Sequence, residues 1–328
     1  MGMQELPIYE APVRGILTAT SGFIREAGFS HSLTPARNCT FGCTYCYVPT
    51  MGIYGGLKPP DWERWGQFTT FKSNAPSLLR KQLRKDQTIY CSPLVDPYQP
   101  AEERRQAMRP ILTAIAERPP ALFVIQTRGP LILRDLDLLR VLARRTTVRV
   151  SFSLTTDRED VRRWFEPHCA PLEERLQTIE RLREEGIEVF ATLAPLLPSN
   201  IERLVEAALR ATTQDIIGDP LHIREHKRHG ATTRQAAFRI AGVRGFREWL
   251  DPDFQIQLTA RIAKLVERAG RRFAAGPEGF SWLAALPAGS GGSINASTRR
   301  NTAEGTGGSC QARRSAREFG SVLGRVDR

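Results

Sequence analysis

The stretch NCTFGCTYCY, residues 38–47, places cysteines at 39, 43 and 46, separated by three residues and then by two. Three thiolates are one short of what a closed tetrahedral metal or an ordinary iron–sulfur cluster takes from a protein. The identity of the fourth ligand decides what the surrounding fold is for. Immediately before this loop, FSHSLTP (29–35) reads as a strand. After it, β-prone and helix-periodic segments alternate.

The β-prone runs are TIYCS (88–92), ALFVIQT (121–127), TVRVSFSLT (147–155), IEVFATLAP (187–195) and QDIIG (214–218). Helical periodicity lies between them. Residues 102–118 put Met108, Ile111, Leu112 and Ile115 on one face, and Leu138, Leu139 and Leu142 follow the next strand. A third helix runs from a first-turn Pro171 through Leu172, Leu176, Ile179 and Leu182 to a stop at Gly186. A fourth starts from Asn200 as N-cap, with Ile201, Leu204, Val205 and Ala208 inward. Repeated strand–helix units imply a parallel sheet with helices outside, and no G-x-G-x-x-G follows the first strand. The pattern therefore predicts an α/β fold, a partial (β/α)6 barrel, over residues 29–218. Residues 1–28 read as an N-terminal extension and 219–284 as a C-terminal helical segment able to cover a substrate. The tail 285–328, rich in Gly, Ser, Thr and Arg without an apolar period, has the composition of disordered chain. Ligands of such folds gather at the C-terminal ends of the strands. The cysteine loop, SPLVDPY, QTRG, SLTTD and APLLPSN each follow a strand.

An apolar share of 41% and a charged share of 25% are those of a soluble globular protein, and no run approaches a membrane span. The first residues lack the pattern of a secretory signal, so a cytoplasmic protein with reduced thiols is expected. Cys91, Cys169 and Cys310 are scattered and read as singles, not as a disulfide framework. The net charge of +12 invites a polyanion, but the last 44 residues hold seven arginines against three acids. The bias that remains does not select nucleic acid over other anionic partners.

Several metal chemistries compete for the three cysteines. Structural zinc would want a fourth Cys or His at motif spacing. A thioredoxin-like C-x-x-C leaves Cys39 unexplained, and a ferredoxin cluster brings four cysteines. Three thiolates on one short loop suit a [4Fe-4S] cube with one iron open to an exogenous ligand.

CTFGCTYC is similar to the C-x3-C-x-aromatic-C motif of radical S-adenosylmethionine (SAM) enzymes. That resemblance implies a partial barrel. It also implies that the methionyl amine and carboxylate of S-adenosyl-L-methionine chelate the open iron, with reductive cleavage to a 5′-deoxyadenosyl radical. A narrower resemblance, over roughly residues 15–200, rests on ILTATSGFIREAGFSHSLTPARNCTFGCTYCYVP, DPYQPAE, GPLILRDLDLL and APLLPSN. These look like the spore photoproduct lyase group of DNA repair photolyase-like proteins. TPARNC departs from the Asn-Pro-Tyr-Arg-Gly-Cys carried by many relatives.

The resemblance implies roles for single residues. Tyr45 would present its backbone to the adenine, and Asp96, Arg128 and Ser153 are of the types needed around the methionyl end. Arg128 stands where relatives carry lysine. Cys91, on the strand after the cluster loop, resembles a cysteine that donates hydrogen to a product radical, and Tyr47 a tyrosine that returns it. A strand cysteine is also a common small hydrophobe. Cys169 and Cys310 read as incidental. Trp62, Trp65, Phe68 and Phe71, interleaved with Lys58, Arg64 and Lys72, suit either base stacking or a loop covering the barrel. His222, His226 and His229 read as a solvated basic segment. The implied partners are a nucleic-acid substrate carrying a DNA lesion and a low-potential donor such as flavodoxin or ferredoxin, with no membrane. The alternatives are radical modification of a peptide, RNA or small molecule, and a non-enzymatic electron carrier with Cys91 as fourth ligand.

Overall fold

The computed structural model describes residues 6–51, 59–222 and 233–286. Its strands, in chain order, are β1 (Ile8–Ala11), β2 (Leu17–Ala19), β3 (His31–Leu33), β4 (Ala36–Arg37), β5 (Thr69–Lys72), β6 (Thr88–Cys91), β7 (Leu122–Thr127), β8 (Thr147–Ser153), β9 (Glu188–Leu193), β10 (Ile216–Gly218) and β11 (Phe273–Ala275). Eight of them form one sheet in the order β11-β10-β9-β8-β7-β6-β3-β2. All its neighbours pair in parallel except β2, which runs antiparallel along β3. The six core strands expected from the sequence are therefore present as a continuous parallel set, the open barrel of an α/β fold.

Side chains alternate across this sheet, as the pleat requires. Ile89, Phe123, Ile125, Val150, Phe152, Val189, Ala191 and Leu193 join the main core beneath the helices Ala75–Gln82, Met108–Glu117, Leu136–Ala143, Leu172–Glu184 and Ile201–Ala211. The opposite face holds Tyr90, Leu122, Val124, Phe190 and Ile217, plugged by Phe29, Phe280 and Leu283. Towards the C-terminal ends of the strands this inner face turns polar. Gln126 donates to Ser153 Oγ at 3.2 Å, and the Ser151 and Thr192 hydroxyls meet at 2.7 Å. The lumen thus has a largely apolar floor, into which the buried Arg149 reaches to bond the Leu283 and Ala285 carbonyls, and a hydrogen-bonding upper wall.

Two elements differ from the sequence reading. The helix expected over 102–118 is broken into Glu102–Arg105 and Met108–Glu117, with Gln106 left-handed at φ 51°. The cause is Glu102, a fully buried carboxylate that accepts from the Ala107 and Met108 N–H groups at 3.0 and 2.8 Å. It caps the second segment and pairs with Arg134 at 2.8 Å. The segment expected to be helical beyond residue 218 contains β11, which extends the sheet beside β10. The pairing depends on Gly218, where a Cβ would lie 2.5 Å from the Phe273 ring. The helix starting at Ile201 is capped as expected, with Asn200 accepting from Arg203 N at 3.0 Å. Residues 287–328, which contain nearly all of the basic tail, lie outside the described residues, as do His226, His229 and Lys58.

A second, three-stranded sheet of β1, β5 and β4 forms from segments with no strand signal in the sequence. Its last strand, β4, feeds directly into the cysteine loop.

Candidate metal centre

Asn38 turns the chain into the loop with φ 64°, a left-handed value that asparagine tolerates. Its side-chain oxygen accepts from Cys39 N at 2.7 Å and from Gly66 N at 3.0 Å. Gly42 and Gly66 then pass backbone to backbone, both with positive φ. A Cβ on Gly66 would stand 2.6 Å from Gly42 Cα. Buried Gln99 accepts from both Thr40 N (2.8 Å) and Thr40 Oγ1 (3.1 Å), and Thr40 Oγ1 in turn accepts from Ala101 N at 3.1 Å. The first half of the loop is thereby fixed to the segment following β6.

The second half docks on the C-terminal end of the helix Glu159–Phe165. Thr44 N donates to Phe165 O at 2.9 Å, and the Tyr45 phenol donates to the Glu166 carboxylate. Glu166 is fully buried, and its other oxygen accepts from Arg175 at 2.6 Å. Arg128 completes the group, donating to Glu166 and to the Tyr45 hydroxyl, with its guanidinium 5.7 Å from the Tyr45 ring centroid. Burial alone would raise the Glu166 pKa, but Arg175 and Arg128 pull it down to about 2. The cluster loop is therefore held from beneath by a buried ionised carboxylate between two guanidiniums.

Cys39 and Cys43 are buried and Cys46 is partly exposed. The charge of Cys43 acts on both others, so the three thiols share one neighbourhood. Burial, then Asp96 and Cys43, pushes Cys39 well up, and burial followed by Cys43 pushes Cys46 up to about 12. Cys43 is held below the ordinary thiol value, chiefly by its hydrogen bond with Cys169, whose Sγ lies 3.9 Å away. Among the described residues, the three potential ligand atoms mutually within 4.8 Å are those of Cys43, Glu166 and Cys169. Glu166 is already satisfied by its guanidinium and phenol donors, so this trio is not a ready cation site.

The residues expected to meet a cofactor are distributed unevenly. Asp96 accepts from Thr127 Oγ1 (2.7 Å), Tyr98 N (2.9 Å) and Arg128 N (2.9 Å), and fixes the turn after β7. The Arg128 guanidinium is engaged by Glu166 and Tyr45. Ser153 lies buried on the polar lumen wall. The Tyr45 carbonyl, part of the backbone expected to face adenine, accepts from Arg234 N at 3.4 Å. Tyr47 is partly exposed, and its hydroxyl donates to the Pro93 carbonyl. Cys91 is fully buried and in register with Leu33 and Ile125, both in the core under the helices. Its thiol therefore points away from the lumen, where its neighbour Tyr90 points inward. The alternation of the strand gives Cys91 to the packing layer beneath the helices. Trp65, Phe68 and Phe71 are buried, Phe71 on β5 of the second sheet, so these three rings are not exposed stacking platforms.

The sequence reading gives no role to Glu166, Arg175, Gln99 or Arg234 and takes Cys169 as incidental. Gln99 lies within DPYQPAE and the others outside the motifs, and the meaning of each comes from partners more than fifty residues away or from burial. Arg234 precedes the helix Gln235–Arg244 and is near enough to Cys46 and Cys43 to sense their charge. Burial lowers its pKa, and it has no carboxylate partner among the described residues.

A family profile described as the radical SAM superfamily matches residues 33–211, from the end of β3 through the helix Ile201–Ala211. An uncharacterized protein of Methanocaldococcus jannaschii is 29% identical over 175 residues, 53% of this chain and 63% of that protein. The chain thus spans less than two thirds of that relative. An uncharacterized protein of Mycobacterium tuberculosis is 28% identical over 272 residues, 76% of this chain and 78% of that protein. Among solved structures, a variant of spore photoproduct lyase superposes with a TM-score of 0.50 at 12% identity, covering 74% of this chain and 78% of that one. At that identity the likeness is one of fold.

Proposed function

The chain belongs to the radical SAM superfamily, and on that premise we propose that it is an enzyme whose Cys39, Cys43 and Cys46 hold a [4Fe-4S] cluster with one iron left for S-adenosyl-L-methionine. The observation that carries this reading is a loop carrying three thiols that is fixed at both ends, by Asn38 and Gln99 on one side and by Phe165 and Glu166 on the other. When bound, such a cluster supplies the electron for reductive cleavage of S-adenosylmethionine. The chain's own residues position and enclose. Gln126, Ser151, Ser153 and Thr192 offer neutral hydrogen-bonding groups on the lumen wall, suited to sugar hydroxyls and an adenine edge. Tyr90, Phe29 and Phe280 keep the floor dry. Asp96 and Arg128 act as clamps, one on the turn after β7 and one on Tyr45. Arg234, a half-buried cation beside Cys46, is available for an anionic group.

The substrate class we favour is nucleic acid, with lesion repair as its use. Arg239, Arg244 and Arg247 follow Arg234 and have no carboxylate partner among the described residues. Arg244 lies 4.2 Å over the Trp164 ring, Trp164 and Phe246 are 6.1 Å apart, and Arg158 lies 5.1 Å over Phe246. Cations and aromatics on an edge beside the cysteine loop suit phosphates and bases. A second reading, a non-enzymatic electron carrier, needs a fourth protein ligand for the cluster. Anaerobic reconstitution followed by dithionite and S-adenosylmethionine separates the two. The enzyme reading predicts 5′-deoxyadenosine, and a fully loaded cluster that forms none would overturn it. External reductant in the cell would come from a low-potential carrier such as flavodoxin or ferredoxin.

A further inference from the structure

Cys169 belongs to none of the motifs, yet its Sγ lies 3.9 Å from Cys43 Sγ and both are buried. The approach is fixed by backbone. Cys169 N donates to Glu166 O at 3.0 Å, and the Arg162 guanidinium donates to the carbonyls of Glu166 (3.3 Å) and Cys169 (2.5 Å). The turn 166–169 is thus pinned while Thr44 and Tyr45 dock on the same segment. Resting on the reading that Cys43 is a cluster ligand, we propose that Cys169 is a positioning residue whose S–H donates to the Cys43 sulfur and raises the reduction potential of the cluster.

A ligating thiolate has lone pairs and no proton, so in this pair only Cys169 can donate. Hydrogen bonds to cluster sulfurs stabilise the reduced form, which carries the additional negative charge, and so move the potential upward. Burial keeps water from competing for the same lone pair. The separation also argues against Cys169 as a fourth cluster ligand. Two thiolates bound at about 2.3 Å to one tetrahedral ion would stand close to this distance from each other. A cube, by contrast, takes one thiolate per iron, so Cys43 in place leaves Cys169 beside a ligand and not on the metal.

The test is a redox titration, followed by electron paramagnetic resonance, of anaerobically reconstituted full-length wild type, Cys169→Ala and Cys169→Ser, with iron and sulfide measured first. Both variants should hold wild-type iron and sulfide. The alanine midpoint should fall below wild type, and the serine midpoint should lie between the two because its hydroxyl still donates. An alanine midpoint equal to or above wild type overturns the proposal, as does a serine midpoint no higher than that of alanine. Loss of iron in both variants also overturns it, by making Cys169 a ligand. A wild-type protein that binds no cluster would overturn the underlying reading first, and this inference with it.

Discussion

Glu166 is the residue on which the second half of the cysteine loop rests, since one carboxylate serves Tyr45, Arg128 and Arg175. Glu166→Gln keeps the shape and leaves two buried guanidiniums short of charge, which should cost about 3–5 kcal/mol in denaturant unfolding. The pH dependence has a defined sign. The folded pKa is depressed to about 2 from an unfolded value of about 4.3, so the contribution is complete above the unfolded value. It is lost as pH falls through the folded one. The stability gap between wild type and Glu166→Gln should therefore hold steady from neutral pH to about 5 and shrink on acidification towards 2. Cys91 gives the opposite kind of test. A thiol packed beneath the helices should be dispensable to chemistry, so Cys91→Ser should lose stability while keeping iron content and 5′-deoxyadenosine yield. A normal yield accompanied by altered products from a known substrate would restore it as a hydrogen donor. Cys39, Cys43 and Cys46 could be read from spacing alone. Glu166 and Cys169 could not, because an acid and a cysteine after a helix acquire meaning only when Tyr45 and Cys43 arrive from over 120 residues away.

Among the elements, the loop itself depends on a backbone crossing. Gly66→Ala would place a methyl 2.6 Å from Gly42 Cα at a residue with φ 89°. Cluster uptake, measured as iron per chain, should fall, with a stability loss of about 1–3 kcal/mol or more. Wild-type iron content in that variant would show that the loop tolerates displacement. The buried strands β6 to β9 were legible because each is a run of β-prone residues between helical periods. β1, β4, β5 and β11 were not, being defined by their partners and not set between helical periods. The break at Gln106 was hidden for a different reason. Glu102 reads as a first-turn surface acid, and only its burial against Arg134 reveals it as the cap of the following segment.

At the scale of the molecule, the helix Gln235–Arg244 meets the cysteine loop, Arg234 N donating to the Tyr45 carbonyl and Ala237 and Ala241 sharing a core with Cys39 and Cys43. The net charge of +12 pointed to a polyanion without locating it. If a nucleic acid binds beside this helix, affinity should fall steeply with salt. Arg244→Ala with Arg247→Ala should then flatten the log–log slope by roughly 0.7–0.9 for each phosphate no longer neutralised. An unchanged slope would move the binding face elsewhere. Among the described residues no helix is long and apolar enough to cross a membrane. The central claim is that three protein thiols leave one iron for S-adenosylmethionine. Mössbauer spectroscopy of isotopically enriched, reconstituted protein tests it most directly, with and without the sulfonium compound. One iron of the four should change its signature on addition while the other three keep theirs. Four irons that all remain unchanged in the presence of S-adenosylmethionine would contradict the account.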